Sequence, residues 1–274
     1  MFWSSRTSEA LFLAFPLALS FLNLPNLPQR MSPLLRRPAA DVAIRYVRDS
    51  YISDGRRILV ERFEPTGSGR YPTVIMIHGA AGLYKHEGDA LPPTENFGEQ
   101  QLAKDGYIAL LVHYFDSTGD LSVLDGDSML QKAPIWLATL TGAVDYAEKQ
   151  PRVDRHRIAL LGESLGGFLA VALAARDRRI AAVSEFSGGA PELPVASLRQ
   201  LPPMLIQHGE LDTVVPVQEA YRLERILREA NVPCQTLIYP GEGHYLDSAT
   251  RERILERTLE FFHTYLVGVG DRGL

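Results

Sequence analysis

The sequence predicts an α/β fold: a doubly wound, mostly parallel sheet of about eight strands with helices on both faces. Three observations point there. From residue 41 onward short β-rich runs alternate with longer helical ones, several β runs are apolar at every position, and one strand-to-helix junction is fenced by glycines. A strand that is apolar throughout is buried on both sides, which calls for a parallel sheet between two helix layers.

The elements follow in order. Residues 43–47 and 58–63 alternate with a two-residue period around Ser53-Asp54-Gly55, as an opening antiparallel pair does. Residues 73–78, TVIMIH, form the first fully apolar strand. A helix over 96–105 leads to the strand YIALLVH, and a helix over 133–149 leads to RIALLG. The second half continues with a helix over 165–175, strands over 181–185 and 204–207, a helix over 217–230, a strand over 235–239 and a helix over 250–266. Right-handed crossovers join these runs into one sheet. Residues 79–95, 116–132 and 188–201 show no period. Long loops of this kind gather beyond the C-terminal ends of strands, where open α/β sheets bind ligands.

With 274 residues, 46% of them hydrophobic, the chain can bury a large core. A net charge of −5, from 28 basic and 33 acidic side chains, leaves no broad positive field for nucleic acid. The single cysteine, Cys234, excludes an intramolecular disulfide and lies in a strand-like run as a buried, inert thiol.

Residues 1–40 stand apart as an N-terminal apolar segment and a proline-rich linker, ahead of a domain over 41–274. Residues 10–24, ALFLAFPLALSFLNL, read either as a signal or anchor or as an extra helix on the domain surface. The first reading means export or membrane contact, the second a cytoplasmic protein.

The chemistry centres on Gly162-Glu163-Ser164-Leu165-Gly166. By chance GxSxG occurs in roughly one chain of this size in ten, so its weight comes from standing between a strand and a helix, the setting of a nucleophile elbow. The turn is so tight that Gly162 and Gly166 must lack Cβ atoms. A plain helix cap is the alternative role for Ser164.

A serine hydroxyl needs a base and a group that orients the base. Asp212, in HGELDTVVP, and His244, in YPGEGHYLD, follow in the order Ser, Asp, His, each in a loop after a strand. Glu210 competes with Asp212 for the acid role. The run IMIHGAAGL supplies small residues after the first apolar strand, so the oxyanion donors are assigned to the amides of Ala80 and Leu165, with His78 and Gly79 in support.

These segments resemble the α/β-hydrolase fold and, within it, the dienelactone hydrolase family. YPTVIMIHGAAGL, GYIALLVHYF, GESLGG, HGELDTVVP and YPGEGHYLD carry the resemblance, over residues 71–266. Family members proper use a cysteine nucleophile and a glutamate directly after the strand-end histidine, where this chain has Ser164 and Gly79. The resemblance therefore implies a serine, carboxylesterase-like member acting on a small-molecule ester. A prolyl-oligopeptidase-like peptidase, an acyltransferase and a non-catalytic binding protein on the same fold are the rival readings.

His86, His113, His156, His208 and His263 show no metal-ligand spacing, and no dinucleotide or P-loop pattern occurs, so no cofactor and no metal is expected. Tyr84, Tyr114, Phe115, Trp136 and Tyr245 either line an acyl or alcohol pocket or belong to the core.

Overall fold

The computed structural model describes residues 42–83 and 98–268. The segment 10–24, the proline-rich linker, Tyr84 and His86 lie outside the described residues.

Eight strands form one sheet in the order β1-β2-β4-β3-β5-β6-β7-β8. β1 (Ile44–Ser53) and β2 (Arg56–Pro65) make an antiparallel hairpin whose ten-residue register closes at Ser53 and Arg56. The two turn residues, Asp54 (φ 45°) and Gly55 (φ 74°), both take positive φ, which matches the right-handed twist of the paired strands. β2 also runs antiparallel to β4 (Ile108–Val112). β3 (Tyr71–Ile77), β4, β5 (Val153–Glu163), β6 (Ile180–Phe186), β7 (Met204–Gly209) and β8 (Cys234–Tyr239) are parallel.

Residues of the central strands alternate between two cores. Ile75, Ile77, Leu110, Leu160, Val183 and Ile206 pack on the side of α2 (Gly126–Glu148), α3 (Leu165–Ala174) and α5 (Gln218–Glu229). Val74, Met76, Leu111, Leu161 and Leu205 pack on the side of α1 (Glu99–Lys104) and α6 (Ser248–Phe262). Both sets are buried, hence the uninterrupted apolar runs.

The chain leaves β3 for β4 on one side and returns to β5 on the other. The C-terminal ends of β3 and β5 therefore border the crevice where strand order reverses, the position at which such sheets bind ligands.

Three expectations need correction. The stretch 116–132 is not without regular structure: a 3₁₀ turn spans Tyr114–Ser117, and α2 starts at Gly126, capped by Asp125 Oδ1, which accepts the Ser128 N–H at 2.8 Å. Pro134 suits a first helical turn and so suggests a later start, but here it sits inside α2. Residues 188–201 contain a short helix, α4 (Val195–Leu198). Cys234 is half-buried, because β8 is an edge strand.

Glu99, the first residue of α1, is buried, its Oε1 has no hydrogen-bond partner among the described residues, and burial pushes its carboxyl up to about 8. An unfolded glutamate releases its proton near 4.5, so between that pH and about 8 the folded chain holds a proton that the unfolded one lacks, and this group's contribution to stability falls as pH rises. Glu99→Gln removes the effect. Thermal melts are expected to show the variant gaining on the parent chain from about pH 5 to about pH 9; an unchanging gap would contradict the assignment.

Candidate active site

Ser164 occupies the turn between β5 and α3 with φ 52° and ψ −118°, a conformation that L residues other than glycine rarely adopt. Such strain persists only where the surroundings impose it. Here they do: its N–H donates to the Phe186 carbonyl at 2.9 Å, and its own carbonyl accepts from Gly167 and Phe168 at 2.9 and 3.2 Å. A Cβ on Gly162 would strike the Gly166 carbonyl oxygen, and one on Gly166 would strike the Ile77 carbonyl oxygen. The Ser164 side chain makes no capping hydrogen bond to α3, so the helix-cap role is not the one it plays.

The loop after β3 lies beside this turn, because Ile77 and Gly162 are partners in the sheet. A Cβ on Gly79 would sit 3.4 Å from Ser164 Cβ and 3.9 Å from Glu163 Cγ. His78 Nδ1–H donates to the Gly79 carbonyl at 2.8 Å, and its ring stacks on Tyr114 with centroids 4.2 Å apart. Burial depresses the His78 pKa to about 3, which keeps the ring neutral. Ala80 accepts the Val123 N–H at 2.9 Å, and Leu165 opens α3, where a backbone N–H has no acceptor within the helix.

Asp212 and His244 come from the loops after β7 and β8. His244 Nδ1–H donates to Asp212 Oδ2 at 2.7 Å, while Asp212 Oδ1 accepts from Val214 and Val215, each at 2.8 Å. Burial raises the Asp212 pKa, but the hydrogen bonds from His208, His244 and Val215 outweigh it and hold the carboxyl far below the usual range. Asp212 is thus ionised, and its carboxylate fixes a proton on His244 Nδ1, so that Nε2 is the ring nitrogen left to face a substrate. Glu210 instead accepts from the Gly241 N–H at 3.2 Å and stays exposed. Ser164 and His244 are not hydrogen-bonded to each other here; bonds of this type often tighten only with substrate.

Three acidic or basic neighbours were not foreseen. Glu163, the variable position before the serine, lies 3.7 Å from Arg251, and burial raises its carboxyl while Arg251 and His244 pull it down. Glu185, at the end of β6, and His208, at the end of β7, are fully buried. The one signal in the sequence is a polar residue inside an apolar strand run. Of the aromatics, Tyr114, Phe115 and Trp136 are core, and Tyr245 is exposed beside His244.

The family model described as the Dienelactone hydrolase family matches residues 60–266. A protein of Methylorubrum extorquens that bears the name carboxymethylenebutenolidase is 27% identical over 199 residues, covering 67% of this chain and 66% of its own length, so the chain spans about two thirds of that relative. One from Escherichia coli O157:H7 with the same name is 26% identical, with coverages of 72% and 78%. Among solved structures, a dienelactone hydrolase-like promiscuous phosphotriesterase from metagenomic libraries superposes with a TM-score of 0.69 at 21% identity, covering 81% of this chain and 99% of its own.

Gly166→Ala should prevent the close approach of α3 to β3, since the obstacle is backbone rather than a movable side chain. The expected outcome is a large drop in melting temperature or an insoluble chain. A variant that melts with the parent would show that the junction can relax.

Proposed function

The chain belongs to the dienelactone hydrolase family and is a hydrolase, and from that premise we propose that it cleaves carboxylic esters or lactones through an acyl-enzyme on Ser164. Ser164 Oγ attacks the carbonyl carbon while its proton passes to His244 Nε2. Asp212 holds His244 in the tautomer that can accept that proton and stabilises the imidazolium that results. The N–H groups of Ala80 and Leu165 receive the oxyanion, with the dipole of α3 behind Leu165. His78 braces the Gly79 carbonyl, and with it the loop that carries Ala80. Collapse expels the alcohol, which takes the proton from His244, and water repeats the sequence to free the acid.

The observation that carries this reading is the 2.7 Å hydrogen bond between His244 and Asp212 at the same sheet edge as the strained Ser164 turn. Gly79 adds support. Cysteine members of the family hold a glutamate at that position, whereas here the space against Ser164 Cβ has no side chain, as suits a hydroxyl nucleophile activated by histidine alone.

Intact mass after incubation with a small fluorophosphonate tests the reading. One adduct is expected on the parent chain and none on Ser164→Ala, whose turnover of a panel of p-nitrophenyl esters should fall by at least ~10^4 because the triad works as a unit. Near-full esterase activity in Ser164→Ala would overturn it. No adduct on either chain would favour a binding protein built on this fold.

A further inference from the structure

Behind Asp212 lies a pair of buried groups that the reaction above does not use. Glu185 and His208 are both 0% exposed. Glu185 is the sheet partner of Ile206, and His208 follows two residues later on the same face, so the two side chains are diagonal neighbours in the core. Glu185 Oε2 accepts the Gly188 N–H at 3.0 Å. Room for that carboxyl comes from glycines: a Cβ on Gly167 would lie 2.9 Å from Oε2, and one on Gly188 would overlap it. The carboxyl therefore sits directly under the first turn of α3, where the serine and the oxyanion donor Leu165 are displayed.

On the other side, His208 Nε2 lies 2.8 Å from the Val215 carbonyl and 3.4 Å from Asp212 Oδ2. A carbonyl oxygen only accepts, so Nε2 carries a proton. Two polar atoms of this pair, Glu185 Oε1 and His208 Nδ1, are fully buried and have no partner among the described residues. Orphans of this kind cost free energy unless something satisfies them. A single proton on His208 Nδ1 makes that atom a donor and leaves Glu185 Oε1 an acceptor, a complementary pair that one water can bridge.

We propose that His208 is a buried imidazolium held between the carboxylates of Glu185 and Asp212, and that this pair positions Asp212 and lowers the basicity of His244. The proton balance is simple. A neutral pair, Glu185 carboxyl plus His208 imidazole, becomes an ion pair by moving one proton, with no change in net charge. Burial pushes the Glu185 carboxyl up to about 7 while the His208 charge pulls it down, and against the burial that lowers it, Asp212 and Glu185 together raise the His208 pKa. The imidazolium offsets the carboxylate charge that the pair places beneath α3. The ionisable groups around His208 are Glu185 from β6 and Asp212 from the loop after β7, with His244 beyond it. β8 places Ile238 opposite, α3 has no ionisable residue, and Glu219 of α5 is paired with Arg222.

The kinetic half of this proposal rests on His244 being the base; the charge state does not. The full chain labelled with 15N-histidine tests the latter by ring nitrogen shifts, with His208 assigned by its loss in His208→Gln. The parent chain at neutral pH is expected to show both His208 nitrogens protonated, and isosteric Glu185→Gln a single Nε2–H tautomer. A neutral His208 in the parent chain would overturn the proposal. In esterase assays Glu185→Gln should move the acid limb of kcat/KM upward by about half to one pH unit, and Glu185→Asp should restore it. A purely structural role would leave the limb in place and so count against the proposal. Should Ser164 prove unreactive, the ring shifts still decide the charge.

Discussion

The site depends on one close approach of backbone to backbone. Where β5 turns into α3, the chain reverses so tightly that Gly162 faces the Gly166 carbonyl and Gly166 faces the carbonyl of Ile77 at the end of β3. No side chain fits in either gap. This contact forces Ser164 into positive φ, points the N-terminus of α3 at the crevice and brings Gly79 against the serine. The sheet order supplies the other half of the constraint, since only adjacency of β3 and β5 puts the two loops side by side.

A second layer of organisation is electrostatic. Glu163, Glu185 and Asp212 converge on the C-terminal edge, and each loses hydration there. Buried carboxylates are tolerated when other groups replace water. Asp212 is the best provided, with two backbone N–H groups on one oxygen and histidines about the other. Glu163 leans on Arg251. Ser164 thus stands among carboxyl groups whose neighbours include histidines and an arginine.

Much of the frame was legible because it follows from local rules. The uniformly apolar runs of β3 and β4 announce strands buried on both faces, and the Asp54-Gly55 turn announces its hairpin. The start of α2 was not legible, since Pro134 fits a first turn equally well and only packing of Trp136 and Leu140 into the core carries the helix through it. Likewise Asp212 and Glu210 are equivalent in HGELD until the loop folds: two peptide N–H groups and His244 close on one, while the other accepts from Gly241 at the surface.

By itself the sequence determined the period of each strand, the glycines at the tight turn and the order of serine, aspartate and histidine, because these are properties of neighbours along the chain. The tertiary structure decided which carboxylate meets His244, that Gly79 lies beside Ser164, and that Glu185 and His208 are buried on neighbouring strands behind Asp212. Those are pairings between residues 23 to 85 positions apart, as the numbering of Glu185 and His208 and of Gly79 and Ser164 shows, and only the crossing of strands brings them together.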